Sequence, residues 1–205
     1  MAETDGRVVF AAGHYPDNSG PPDRTALAEL LRHPRCVAVG EVGLDFGERY
    51  APPSLQRQWF ETMLDLAEEF GLPVSVHVRG TEQEVFEELR SRPRVRGVWH
   101  YFAQGWSWAE RYLELGFYLS FAGLVTRPAQ AELRAVAREC PSDRLLLETD
   151  APWGTPHTRR GQHNRPAYLI DTARVVAAER RVELEELAVV EARNAANLFR
   201  KLGEL

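Results

Sequence analysis

The sequence is poor in cysteine, and it lacks both a strong positive charge and a long apolar run. Its two cysteines, Cys36 and Cys140, stand apart and form no Cys-x-x-Cys pair, which suits a reducing compartment without a structural disulfide. A net charge of −5 excludes a general basic field that could hold nucleic acid unaided. No apolar stretch reaches transmembrane length, and the first residues, MAETDGR, are acidic rather than signal-like. These absences predict a soluble cytoplasmic protein.

β-rich runs alternate with amphipathic helical stretches along the chain. Strands are predicted over residues 7–14, 36–46, 73–79, 97–103, 117–123 and 144–150. Helices are predicted over residues 24–33, 54–70, 82–91, 107–116, 129–140, 167–181 and 184–202. Nearly continuous apolar strands are typical of parallel sheets covered on both faces, and repeated β-then-α units imply right-handed crossovers. No linker divides the chain, so a single α/β domain is expected over residues 1–205.

The number of strands sets the expected architecture. A complete eight-stranded (β/α) barrel normally takes about 250 residues, with about 200 near the lower limit. The six recognisable strands in 205 residues are two fewer than such a barrel contains. In a barrel that lacked two strands, sheet edges and apolar surface would be uncovered unless a neighbouring chain, a rearranged terminus or an open six-stranded sheet dealt with them, so a homodimer that covers the open edge is a reasonable expectation.

Residues that can bind metal lie toward the C-terminal ends of five predicted strands. They are His14, Glu41, His77, His100 and Asp150. Sites of parallel α/β folds are built at this end of the sheet, and imidazole and carboxylate groups suit zinc, manganese or another divalent ion. Each residue also has a plainer interpretation. A histidine at a strand end could be a hydrogen-bonded core residue, Glu41 could form an ion pair with Arg79, and Asp150 could cap a turn or a helix. Their joint placement favours a metal site.

Glu41 is the most unusual of these residues, because it interrupts the apolar stretch VAVGEVGLDF, residues 37–46. Moving an unpaired carboxylate from water into the protein interior raises the free energy by several kcal/mol, so a buried carboxylate needs a cation, a metal or a catalytic role. We therefore expect Glu41 to be buried beside a cation.

The segment HTRRGQHNRP, residues 157–166, concentrates positive charge in an otherwise acidic protein. Its polar residues include Arg159, Arg160, His163, Asn164 and Arg165. Charge runs are most often solvated loops, but this one follows closely on Asp150 and could bind substrate phosphates. Trp106 and Trp108 could stack on bases, although packing on a helix face is the expected role of at least one of them.

With these residues in place, the sequence resembles the TatD family of metal-dependent deoxyribonucleases, which are amidohydrolase-like barrels. The matching stretches, in order, are VAVGEVGLDF, LPVSVHVR, GVWHYFAQGW, LGFYLSFAGLVT, DRLLLETDAPWGTP, RRGQHNRPAYL and NAANLFR. The resemblance extends from about Val8 onward. It implies an α/β fold, a parallel (β/α) barrel of TIM type that is incomplete here, with about six recognisable strands. It also implies a two-metal hydrolase of DNA phosphodiesters, working in intracellular DNA repair or degradation.

The resemblance also implies a role for each matching residue. Glu41 would bridge two ions, and His77 and His100 would complete one metal site. Asp150 would bind the other ion or act with Glu41 in catalysis, as the base for the attacking water. Asp45 would be a supporting carboxylate. The charge and position of five further residues, rather than the resemblance, make them candidates to contact substrate phosphates: Arg79, Arg159, Arg160, Asn164 and Arg165.

By the resemblance, the chain lacks the family's opening strand, which ends in His-x-His, and the β/α unit that follows it. None of the six histidines here forms such a pair, and AAGHYPDN resembles the family's Gly-x-His-Pro turn with the histidine shifted by one place. We therefore expect one ion (Mn, Mg, Zn or Ni) to be firmly bound by Glu41, His77 and His100. A second ion, on Glu41 and Asp150 with His14 as a further candidate, should be weak or absent.

The expected activity is exonuclease-type hydrolysis of single-stranded DNA. Two alternatives stay open: hydrolysis of another small ester or amide, since a fold does not fix a function, and a catalytically impaired remnant that acts by binding. The basic segment and the tryptophans favour nucleic acid. The complete set of Glu41, His77, His100 and Asp150 favours catalysis over binding alone.

Overall fold

The computed structural model describes residues 8–17 and 19–204, and it contains a parallel α/β sheet. The strands are β1 (Phe10–Ala12), β2 (Cys36–Asp45), β3 (Val74–Arg79), β4 (Gly97–Trp99), β5 (Tyr118–Phe121) and β6 (Leu145–Leu147). Their order in the sheet follows the chain from β1 to β6. The predicted six-stranded parallel α/β class is confirmed. Arg7, the first residue of the first predicted strand, lies outside the described residues.

The helices lie close to the bounds that the sequence predicts. They are α1 (Arg24–Arg32), α2 (Pro53–Phe70), α3 (Glu82–Arg90), α4 (Trp106–Glu114), α5 (Ala131–Glu139), α6 (Leu169–Arg180) and α7 (Leu184–Leu198). At the start of α1 the Asp23 carboxylate accepts the N–H groups of Thr25 and Ala26, and Gly71 ends α2 in the left-handed conformation. Among the described residues, no helix has the length and apolar character that crossing a membrane requires.

The strands are shorter than the apolar runs that predicted them, mainly at their C-terminal ends. β1, β4 and β6 have three residues each, so His14, His100 and Asp150 lie beyond the strands rather than within them. Tyr101 and Asp150 have φ angles of 49° and 58°, which are incompatible with a strand. Turns in the backbone, rather than a change in hydrophobicity, therefore end β4 and β6.

The chain forms two compact units. The first comprises residues 1–98 and 196–205, and the second comprises residues 99–195. The prediction of one domain over residues 1–205 stays a prediction. In the first unit, α2 packs on β2. This packing fully buries Met63 and Leu64 of the helix and Val39 of the strand.

Both cysteines are free and buried, Cys36 in the first unit and Cys140 in the second. Burial raises the pKa of Cys140 to about 12.

The second unit has an aromatic core. Its members are Trp99, Phe102, Tyr112, Phe117 and Phe121, each at most 1% exposed. Neighbouring rings in this core have centroids 4.3–6.2 Å apart, at tilted or edge-to-face angles that suit aromatic packing. This core supports β5 and the segments that follow β4.

The outer edge of β6 is covered by α7. Asn194 donates from its amide nitrogen to the Leu145 carbonyl at 2.8 Å, and Glu191 accepts the N–H group of Leu147. An uncovered strand edge would offer these backbone groups to another chain. Helix α7 therefore satisfies these two backbone groups of β6, and the expected homodimer stays a prediction.

Candidate metal centre

Glu41 lies at a bulge in β2. Val39 pairs with Val74 and Val42 with Val76, so β2 has one residue more than β3 over this stretch. A bulge of this kind bends its strand and redirects a side chain. Glu41 is the one position of β2 that is not buried, and 36% of its side chain is exposed. The expectation of a buried Glu41 is therefore wrong, because the bulge leaves its carboxylate in contact with water.

His77, in β3, contacts acidic or hydroxyl groups at both ring nitrogens. Its Nδ1 lies 2.8 Å from Oε1 of Glu41. Its Nε2 lies 3.4 Å from Oδ2 of Asp45 and 3.3 Å from the hydroxyl of Tyr15. A metal-binding histidine commonly donates its second ring N–H to a carboxylate, which fixes the tautomer and the direction of the ring. This geometry suits a ligand that uses Nδ1 beside Glu41 and donates from Nε2 to Asp45.

Asp45 is buried, and its position is fixed by Gln56 of α2. The side chain of Gln56 accepts the Asp45 N–H at 2.9 Å and donates to the Asp45 carbonyl at 2.6 Å. The N–H of Gly47 donates to Oδ1 of Asp45 at 3.0 Å, while Oδ2 faces His77. This arrangement gives the predicted supporting role of Asp45 a structural basis. The sequence analysis missed Gln56, because its full burial becomes visible only in the structure.

Gly43 allows β2 and β3 to approach each other at His77. The two residues are partners in the parallel ladder, and a Cβ at Gly43 would overlap the carbonyl oxygen of His77. The φ angle of Gly43 is 150°, a conformation that side-chain-bearing residues rarely adopt. The second glycine of the GEVG sequence is therefore needed to place His77 opposite β2.

His100 follows β4 and is held by Glu148, a residue that the sequence analysis missed. Oε1 of Glu148 lies 2.9 Å from Nδ1 of His100 and accepts the N–H of Tyr101 at 2.9 Å. The positive φ of Tyr101 is unfavourable for a bulky residue, and this hydrogen bond supports it. Since Glu148 takes Nδ1, the ring would offer Nε2 to an ion. The only signal in the sequence was the position of Glu148, two residues before Asp150.

Glu41, His77 and His100 form a group that could hold a metal ion. Each offers one ligand atom, and the three atoms lie within 4.8 Å of one another. Ligand atoms at about 2.0–2.2 Å from a single zinc ion are about 3.5 Å apart, which is the spacing that a bound ion would require of these three atoms. One carboxylate and two imidazoles fit a divalent transition metal and leave coordination positions for water and substrate.

Asp150 begins a tight turn after β6. Its φ of 58° lies in the left-handed region, which aspartate tolerates better than most residues, and its carbonyl accepts the N–H of Trp153 at 2.8 Å. Burial, and to a lesser degree the negative charge of Asp150, raises the pKa of Tyr101 above its ordinary value. Within the second unit, Asp150 therefore lies in the electrostatic neighbourhood of the residue that follows His100. Its part in metal binding or catalysis stays a prediction.

Asn164 is buried and holds its own loop together. Its amide nitrogen donates to the carbonyls of Thr149 at 2.6 Å and Trp153 at 2.5 Å, and its side-chain oxygen accepts the N–H of Arg165 at 2.9 Å. Both amide hydrogens are thus used within the loop. Asn164 therefore fixes the segment after Asp150, and its predicted contact with substrate phosphate stays a prediction.

The arginines predicted to bind phosphate differ in their surroundings. Arg159 pairs with the buried Asp171 of α6 at 2.8 Å and stacks over Tyr168 at 4.8 Å, and the hydrogen bond to Asp171 raises its pKa. Arg159 therefore ties the loop to α6. Three exposed arginines make no side-chain ion pair within residues 8–17 and 19–204: Arg79, Arg160 and Arg165. The alternative of a Glu41–Arg79 pair is thereby excluded.

His14 and the two tryptophans have separate environments. Nε2 of His14 is buried with no hydrogen-bond partner among the described residues, and its ring meets the edge of Trp59 at 4.9 Å. Its role as a further ligand stays a prediction. Trp108 packs under the guanidinium of Arg111 at 4.4 Å, as expected for one of the pair, while Trp106 is 39% exposed.

A family model, related sequences and a solved structure that resemble this chain agree with one another. A family model described as TatD related DNase matches residues 1–200. The uncharacterized metal-dependent hydrolase YcfH of Escherichia coli K12 is 39% identical over 197 residues, which are 94% of this chain and 74% of YcfH. The 3'-5' ssDNA/RNA exonuclease TatD of Erwinia tasmaniensis is 35% identical over 193 residues, covering 91% of this chain and 74% of that protein. The crystal structure of YJJV, a TatD homolog from Escherichia coli K12, matches with a TM-score of 0.88 and 32% identity over 97% of this chain and 79% of its own.

Proposed function

The chain belongs to the TatD family of metal-dependent hydrolases, and on that premise we propose that it hydrolyses phosphodiester bonds of single-stranded DNA. The observation that carries the proposal is the group formed by Glu41, His77 and His100, whose ligand atoms lie within 4.8 Å of one another. The name of the Erwinia tasmaniensis relative supports exonuclease action on a single strand. The proposed setting is DNA repair or degradation in the cytoplasm.

In the proposed mechanism each side chain has a separate task. Glu41, His77 and His100 would hold a divalent ion, which when bound would supply Lewis-acid chemistry toward a phosphoryl oxygen and a water. Asp45, by accepting from Nε2 of His77, would orient the ring and leave its Nδ1 as the nitrogen available to bind. The carboxylate of Asp150 accepts the proton of the attacking water as general base.

Binding of the DNA strand is proposed to depend on local positive charge, because the chain as a whole has a net charge of −5. The exposed guanidinium groups of Arg79, Arg160 and Arg165 are the candidates for phosphate contacts. Arg159, whose Nε is bonded to Asp171, is proposed to act by holding the loop that carries two of these arginines.

Two further parts of the proposal concern a second ion and assembly. A weak second ion is proposed on Glu41 and Asp150, and the buried Nε2 of His14 is the atom that would add a ligand.

A homodimer is also proposed. Light scattering coupled to size-exclusion chromatography would detect it, and a monomer at every concentration tested would contradict it.

The activity is tested with end-labelled single-stranded DNA and the purified chain, titrated with manganese, magnesium, zinc and nickel. We expect metal-dependent shortening of the strand from its 3' end. His100→Ala should lose metal and activity together, whereas Asp150→Asn should keep the metal and lose activity by about 10²- to 10⁴-fold. His157→Ala, which changes an exposed histidine outside the metal group, is the matched control.

The outcomes separate the alternatives. Full activity in Asp150→Asn would refute its assignment as general base. Metal-dependent turnover of a small ester or amide, with DNA left intact, would move the activity to another substrate class. Tight metal binding with no turnover of any of these substrates would favour a chain that acts by binding.

A further inference from the structure

Trp153 is the most exposed of the large apolar side chains in the part of the chain that the structure describes. Its exposed fraction is 74%, against 39% for Trp106. Tryptophan normally packs or binds a partner with its large ring, so an indole left in water needs an explanation. The ring lies in the segment DAPWGTP, immediately after Asp150.

The backbone of Trp153 is fixed even though its ring is exposed. Its N–H donates to the Asp150 carbonyl at 2.8 Å, and its own carbonyl accepts from the Asn164 amide at 2.5 Å. The hydroxyl of Thr155 closes the loop by donating to the Gln162 carbonyl at 3.1 Å. The exposed ring is therefore presented from an ordered support, which is how binding residues are preorganised.

The loop is also packed closely beneath Trp153. A Cβ at Gly154 would come within 2.9 Å of the Tyr101 ring, and a Cβ at Gly123 would overlap the Gly154 carbonyl oxygen. These glycines let the backbone of the loop approach the rest of the second unit. Movement of Trp153 into the protein interior would require this packing to open.

The hydrogen bond from the Trp153 N–H to the Asp150 carbonyl brings the backbones of these two residues together. A bond between residues three apart closes a β-turn, in which the outer Cα atoms lie within about 7 Å. The same loop carries the exposed guanidinium groups of Arg160 and Arg165. A flat aromatic face and flanking positive charges are the two elements that bind single-stranded nucleic acid without sequence preference.

We propose that Trp153 is a stacking platform for one nucleobase of the substrate strand, next to the phosphate that is cleaved. This inference rests on the proposed function. Stacking accepts any of the four bases, because each base has a π-face, and it strengthens binding by about 5- to 100-fold per base. Val189, on α7, is an apolar side chain of similar exposure, 68%, and serves as the comparison residue.

The test compares binding of two labelled oligodeoxynucleotides, one with normal bases and one of equal length with abasic residues. Wild type should bind the normal strand about 5- to 100-fold more tightly, and Trp153→Ala should bind the two strands equally. Trp153→Phe should keep most of the preference, since phenylalanine retains an aromatic face, and Val189→Ala should keep all of it. Calcium replaces the catalytic metal in these measurements so that the strands stay intact.

An unchanged preference in Trp153→Ala would overturn the platform, and so would a wild type that binds both strands equally. A parallel cleavage assay with manganese distinguishes the two proposals. If wild type cleaves DNA and Trp153→Ala keeps the base preference, only the platform fails. If wild type cleaves no DNA, the nuclease proposal fails, whatever the binding preference.

Discussion

The two units support their candidate site residues in different ways. In the first unit, Glu41 and His77 stand in the paired strands β2 and β3, where the bulge and the backbone ladder set their spacing. In the second unit, His100 and Asp150 lie beyond the ends of three-residue strands. Individual polar side chains, rather than a backbone ladder, hold the second set in place. The first set should therefore be sensitive to backbone changes, and the second to changes in single side chains.

The strongest test of this contrast is Gly43→Ala. The added methyl would overlap the carbonyl oxygen of His77, so β2 and β3 could not keep their pairing. We expect the free energy of unfolding to fall by about 3 kcal/mol or more. Gly71→Ala, at a φ of 63° with nothing within 4 Å, is the control and should cost about 1–2 kcal/mol. Equal losses in urea unfolding of the two variants would contradict the close-approach argument.

The next test removes the carboxylate behind each histidine. Asp45→Asn and Glu148→Gln should each weaken metal binding by about 10- to 100-fold, because each ring loses the charged acceptor that orients it. Isothermal titration of the metal-free variants with zinc measures the change. Asp143→Asn, which alters an exposed carboxylate paired with Arg144, is the matched control. Wild-type affinity in both test variants would show that these carboxylates do not orient the ligands.

Asn164→Ala addresses the loop of the second unit. The substitution leaves the carbonyls of Thr149 and Trp153 without their donor, which should lower the free energy of unfolding by about 1–2 kcal/mol. Because Asp150 and Trp153 lie in this loop, DNA cleavage should fall more than metal affinity does. Cleavage and metal affinity that fall in equal proportion would place Asn164 in the metal site instead.

The smallest expected effect concerns Glu191, which covers the edge of β6. Burial raises its pKa, so the folded state holds this proton more tightly than the unfolded state. The resulting stabilisation is present at low pH and is lost as the pH rises through the raised pKa. Glu191→Gln removes the buried charge and keeps an acceptor for Leu147. Its melting temperature relative to wild type should therefore be higher at about pH 8 than at about pH 4, and a difference that does not change with pH would contradict this account.

Apolar periodicity predicted the helices and the strand positions well, because those patterns reflect burial directly. It also identified Glu41, His77 and His100, which stand out as polar residues in or beside apolar strands. It failed on the exposure of Glu41, because a one-residue bulge changes the direction of a side chain without changing the apolar pattern. Strand ends were likewise set by positive φ angles at Tyr101 and Asp150, which hydrophobicity does not reveal.

The supporting residues were the least predictable part of the site. Glu148 and Gln56 act on partners 48 and 11 residues away, and no local spacing indicates such pairs. Asn164 and Arg159 carried the expected chemistry for phosphate, but the structure uses them within the protein. A polar side chain in a loop can bond to backbone or to substrate, and only its burial distinguishes the two.

The central claim is that Glu41, His77 and His100 hold one ion. Isothermal titration of the metal-free protein with zinc, checked by metal analysis after dialysis, tests it most directly. The account predicts about one tightly bound equivalent in wild type and in His157→Ala, and loss of that equivalent in both His77→Ala and His100→Ala. Retention of the tight equivalent in either His77→Ala or His100→Ala would contradict it.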